Sequence, residues 1–263
     1  MRKTFVFYMC LVACGGAQQE TAHAQPVAST TVTVSEPDAG APIAQHDAQT
    51  PEPPETLPPA KPTTIRLASS AGDAVDQELD KGDAAFEKNA LDEAKTHYEA
   101  AKKLGPKRAG PVVGLLRVRI AKTNAPLDYG ASKGNAEVTA ATRDLKTALA
   151  MENDYGPAYA ELGRAQLMIG DADGALASLR KAAELLARDA EAQSALGVAL
   201  IATGRKDEGL EALKRATALD PGSAPRHGNL GTVMLLLGRV TDSVHEFEVQ
   251  ARLGICHSMW ESA

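Results

Sequence analysis

An all-α solenoid of about five stacked helix pairs is the fold class this sequence predicts, and three observations predict it. Gly163, Gly197 and Gly231 stand 34 residues apart. Gly170, Gly204 and Gly238 keep the same interval. Apolar residues share that period as well: Leu162, Leu196 and Leu230 precede the first column, and Leu179, Leu213 and Phe247 follow it. Two glycine columns on one period mark an array of short units, each able to bury its apolar face only against its neighbours. Aromatics make up 4% of the 263 residues against 44% hydrophobic residues overall, so the core is expected from Ala, Leu and Val.

The amino terminus precedes that array. Met1-Arg2-Lys3 is a positive cap, and the apolar run TFVFYMCLVA at 4–13 falls short of the ~20 residues a membrane-spanning helix needs. It therefore reads as an export signal. Leu11-Val12-Ala13-Cys14 resembles the lipobox of bacterial lipoproteins. That resemblance implies cleavage after residue 13, a lipid on the Cys14 sulfur and an acylated new amino terminus. Gly15, where an Asp would retain a lipoprotein at the inner membrane, favours the outer membrane by the same resemblance. One acyl chain holds marginally, and two or three hold stably. An alternative stays open: Ala22-His23-Ala24 has the small-x-small form an ordinary signal peptidase cuts, which would release a soluble exported protein starting at Gln25.

Residues 14–72 form a second segment. Nine of the fifteen prolines lie there, most densely in PEPPETLPPAKP, and no apolar periodicity persists. Lys61 and Arg66 face six carboxylates, which leaves the stretch at −4. Such a composition does not offset its ordering entropy, so a disordered tether reaching roughly 40 Å as a coil is expected.

The periodic part spans 73–254. Unit one, 75–108, carries Gly82, Ala94-x3-Tyr98-x2-Ala101 and Pro106. Unit two, 109–155, diverges: a helix near Pro111–Lys122 and a second near Glu137–Met151, with Ala141-x3-Leu145-x2-Ala148, are separated by the insertion at 123–136. Unit three, 156–189, carries Tyr159-x2-Leu162-Gly163, then Gly170, then Ala175-x3-Leu179-x2-Ala182. Units four and five are 190–223, ending near Pro221, and 224–254, and a tail occupies 255–263. The pattern resembles the tetratricopeptide repeat. Small residues fall where the paired helices cross, and Gly170, Gly204, Gly238 and Asn89 are predicted at the turns with positive φ.

Several function classes fall away. A net charge of −6 argues against general nucleic-acid binding. Cys10, Cys14 and Cys256 form no spaced cluster, and adjacent Cys256 and His257 are poorly placed to share a metal. Cys256 is left as a weak candidate for cross-linking two copies. Nothing pairs a nucleophile with a base, so neither an enzyme nor a cofactor is expected, and catalysis survives only as a remote alternative.

Binding is what remains. The repeat resemblance implies that the first helix of each unit lines a concave groove that holds a peptide or partner helix. By register, that face carries Leu79, Asp83 and Phe86, then Val113, Arg117 and Ile120, then Ala160, Arg164 and Met168, then Ser194, Val198 and Ile201, then Thr232 and Leu235. Leu79, Val113, Ala160 and Ser194 stand where carboxylate-clamping members of the family recur with lysine, which argues against a terminal carboxylate as ligand. Lys102, Lys103, Lys107, Arg108, Arg117, Arg119 and Lys122 form a run with no intervening acid, either a solvated surface or a patch for an acidic partner. No polar capping helix follows the last unit, so that end is expected to be covered by the tail or to meet a partner or a second copy. The combined expectation is a lipid-anchored adaptor of the bacterial envelope, with another envelope protein as its partner.

Overall fold

The structure, a computed structural model, describes residues 64–69, 71–127 and 129–260, with side chains through Gly254 in the last helix. The signal peptide, Cys14, the Ala22–Ala24 alternative and the tether up to residue 63 lie outside the described residues, as do the side chains of Cys256, His257, Met259 and Trp260.

Ten helices occupy the described residues and no strand does: α1 (Ala74–Glu87), α2 (Leu91–Leu104), α3 (Ala109–Lys122), α4 (Ala136–Met151), α5 (Gly156–Ile169), α6 (Ala172–Leu185), α7 (Ala190–Ala202), α8 (Lys206–Leu219), α9 (Ala224–Leu236) and α10 (Val240–Trp260). Odd helices pair with the even helix that follows, and each even helix packs on the next odd one. Consecutive odd helices also touch, from α1 to α9, whereas no two even helices meet among the described residues. The odd helices therefore form one continuous row. The last helix runs six residues past the predicted end of the repeats at Gly254.

The crossings are as close as the glycine column predicts. A Cβ on Gly163, Gly197 or Gly231 would come within 2.4, 2.6 and 2.9 Å of Leu179, Leu213 and Phe247 respectively, the large residues on the same period. In the first two units Tyr98 fills this role for both neighbours, its ring lying between Gly82 and Gly114. Helix starts are set by short polar side chains: Asp73, Asn135, Asp171 and Asp189 each accept an amide of the first turn, while Pro157 and Pro225 stand at the first turns of α5 and α9.

Gly170, Gly204 and Gly238 take φ of 82°, 78° and 74° at the turns inside the helix pairs, and Asn89 takes 58°. Asn124, at 50°, ends α3 in the same way. The insertion after it folds back on the end of α5: the amides of Gly130 and Ser132 donate to the carbonyls of Leu167 and Met168, and the Tyr129 hydroxyl donates to that of Gly170. It thereby adds donors to carbonyls at the end of α5, where helix carbonyls lack in-helix partners, although that of Leu167 also accepts the Gly170 amide.

Candidate binding face on the row of first helices

The sequence predicts a disordered tether through residue 72, and the structure corrects this at its last part. Residues 64–69 lie along the row of odd helices as an extended strap antiparallel to α1. The Thr64 hydroxyl donates to Glu87, Arg66 makes a two-pronged pair with Asp80 at 2.6 Å, the Leu67 amide donates to Asp83 at 2.7 Å, and Ser69 donates to Asp76 through its amide and hydroxyl. Leu67 is wholly buried in a cluster with Leu79, Val113 and Tyr98, and Ile65, 1% exposed, joins Ala160, Ala182 and Ala192. Proline density upstream hid a short apolar-polar alternation, too brief to register as a pattern.

Side chains from two units grip the strap's main chain. Arg117 of α3 donates to the Ile65 carbonyl at 2.8 Å, Tyr155 before α5 donates to the Leu67 carbonyl, and Asp83 of α1 takes the Leu67 amide. Burial pushes the Tyr98 and Tyr155 phenols upward, which keeps both as donors. Burial also raises the Asp83 carboxyl above its ordinary range, against the pull of Arg117, the Leu67 amide and the Tyr98 hydroxyl. At Asp76 burial is again the largest influence and acts upward, but the bonds from Ser69, Arg108 and Gly72 outweigh it and hold the group at about 2.

Beneath the strap runs a ladder of alternating charge. Asp83 meets Arg117 at 3.0 Å, Arg117 meets Glu161 at 2.8 Å, Glu161 meets Arg164 at 3.8 Å, Arg164 meets Glu191, and Arg226 meets Glu191 at 2.8 Å and Asp220 at 2.9 Å. Members come from every odd helix, and Arg117, Glu161, Glu191, Asp220 and Arg226 are almost entirely buried. Burial alone would raise Glu161, yet Arg117 and Arg164 together bring it below the usual carboxylate range.

These contacts place the residues that register assigned to the groove. Asp83, Arg117 and Arg164 are engaged with partners of the same chain, Leu79, Val113, Met168 and Val198 are buried, and Phe86 lies under the Arg117 guanidinium at 5.4 Å. Ile120 and Ile201 are half-buried, and Leu235 is 51% exposed. The first half of the face is thus covered by the strap rather than open.

The cationic run is likewise dispersed in space. Arg108 pairs with Asp73 and Asp76, Arg117 with Asp83 and Glu161, Arg119 with Asp144 and Glu137, and Lys122 with Asp92. Lys102, Lys103 and Lys107 make no ion pair among the described residues. The charges look uncompensated along the chain because their partners come from other helices. At the far end, Leu235, Val240 and Val244 expose about half of their surfaces, at 51, 56 and 49%. Among the described residues no three His, Cys, Asp or Glu side chains are grouped to hold a metal, and no helix is long and apolar enough to cross a membrane.

A family model described as tetratricopeptide repeat matches residues 170–230. Among solved structures, the chain is similar to a thermophilic tetratricopeptide-repeat protein of Thermus thermophilus, at 20% identity and a TM-score of 0.53, over 69% of this chain and 97% of that one. The fold is a tetratricopeptide-type solenoid. Similar too are the crystal structure of MamA, at 21% identity and a TM-score of 0.50 over 68% of this chain and 96% of that one, and MamA from residue 41 of Desulfovibrio magneticus, at 17% and 0.50 over 71 and 98%. At these identities the likeness is one of fold. No curated protein matches the chain by sequence.

Proposed function

We propose that this chain is a protein-interaction scaffold of the bacterial cell envelope, held to a membrane by lipid on Cys14 and binding a peptide or helix of another envelope protein along its row of first helices. The observation that carries the binding half of this reading is the strap: side chains of two units already hold an extended main chain on that face. The solenoid fold supports it, since stacked helix pairs present a long, preformed surface that need not reorganise to bind. The lipobox resemblance at Leu11–Cys14 supports the anchoring half.

Both halves are tested in intact cells. Incorporation of labelled palmitate and partition into detergent, each abolished by Cys14→Ala, are expected; a mature chain starting at Gln25 and indifferent to Cys14→Ala would establish the soluble exported form instead. Photo-cross-linkers placed at Leu235 and Ile201 should join the same envelope protein. Cross-linking no better than from exposed positions on α8 would overturn the scaffold reading.

A further inference from the structure

We propose that the face of α1, α3 and α5 is a peptide site carrying its own competitor: in trans it takes an extended peptide with aliphatic residues at i and i+2 and a cation between them, and residues 64–69 fill it in cis until such a peptide displaces them. The proposal deepens the scaffold reading and rests on it.

Four features lead there. Ile65 and Leu67 are buried while the Arg66 side chain is 61% exposed, which is the period-two pattern of a chain bound in extended form. Its main-chain groups are held by side chains of Asp83, Arg117 and Tyr155, contacts that any extended peptide would make. Two buried seats and Asp80, whose pair with Arg66 is largely open to solvent, supply the selection among sequences, as in other modes of peptide recognition. The first units also contact one another directly: Tyr98 lies between Gly82 and Gly114, and Arg117 between Asp83 and Glu161.

Ordering six residues and burying two aliphatic side chains are opposed terms of similar size, so the strap opens at less cost than the helices. A covalently attached ligand acts at an effective concentration on the order of millimolar. For a free peptide of Kd ~100 µM, that lowers the apparent affinity about tenfold.

The first experiment is hydrogen exchange on the unaltered full chain. The Leu67 and Ser69 amides should exchange at least about tenfold faster than the slowest amides of α3 and α5, through local opening. Exchange at the same rate as those helices would make the strap a permanent part of the core and overturn the proposal. The second uses a fluorescent peptide of residues 62–71 and the full chain carrying Ile65→Asp and Leu67→Asp, checked for helix content. This variant should bind the peptide about tenfold tighter than the unaltered chain, and adding Asp80→Lys should shift its preference to a peptide in which Arg66 is replaced by Glu. A folded variant that leaves the peptide unbound, or binding indifferent to the charge swap, overturns the proposal; a variant that does not fold shows the strap to be structural and does the same. Envelope cross-linking from Leu235 is independent of all these outcomes, so the scaffold reading stands or falls separately.

Discussion

Asp76 joins the end of the strap to α1 and to Arg108, the residue that starts α3. It accepts from the Ser69 amide and hydroxyl, the Gly72 amide and Arg108, and only 1% of it is exposed. Its carboxyl titrates at about 2 in the folded chain, against ~3.9 for an unfolded aspartate. A depressed carboxylate adds stability above the unfolded value and loses it as pH falls through the folded one. The loss here lies between pH ~4 and ~2, and it amounts to on the order of 2 kcal/mol. Asp76→Asn should abolish that part of the acid dependence. Urea melts of both proteins at pH 5 and pH 2.5 measure it, and equal losses on acidification would refute the assignment. The sequence made parts of this scale legible. Asp83 and Arg117 stand 34 residues apart, so the repeat places them at equivalent positions on neighbouring helices. Their opposite charges could have been read as mutual partners instead of as groups awaiting a ligand.

Between paired helices, the governing quantity is how near two backbones come. A Cβ at Gly197 would lie 2.6 Å from Leu213 Cγ and 3.2 Å from the Gly209 carbonyl oxygen, and Leu213 is 1% exposed with nowhere to retreat. Gly197→Ala should therefore cost about 1–3 kcal/mol. Leu213→Ala in the same chain should cost less than it does alone, because the new methyl enters the space that Leu213 leaves. A thermal-melt double-mutant cycle reads this coupling, and strict additivity would argue against the close crossing. These crossings were legible since the glycine and its large neighbour share one period. The turn at Asn124 was not: the insertion broke the register that revealed Asn89. Nor was the insertion's docking on α5, which depends on carbonyls some forty residues further along the chain.

Across the whole solenoid, stability in a repeat array is a sum of units and of the interfaces between them. The charge ladder crosses each of those interfaces, and Glu191 is its central link, bound to Arg164 on one side and Arg226 on the other. Glu191→Ala leaves Arg226 buried with Asp220 as its remaining carboxylate partner, which should cost about 3 kcal/mol. Because the break falls between units, the urea transition should broaden as well as shift, as circular dichroism would show; an unchanged slope would mean that the ladder does not couple them. Such long-range pairing accounts for the dispersed basic run too. A string of like charges in sequence carries no information about acids arriving from other helices, and Arg119 meets Asp144 only once α3 and α4 have packed.

The direction of the strap has a mechanical outcome. The strap meets α1 first at Thr64, at the Glu87 end of that helix, and the chain returns into α1 at Asp73. Tension from upstream would thus peel the contacts off one at a time, Thr64 before Leu67 and Leu67 before Ser69, before any load reached α1. A pull applied upstream of Thr64 would lift the strap while the helices stayed folded, so that force alone would uncover the surface beneath.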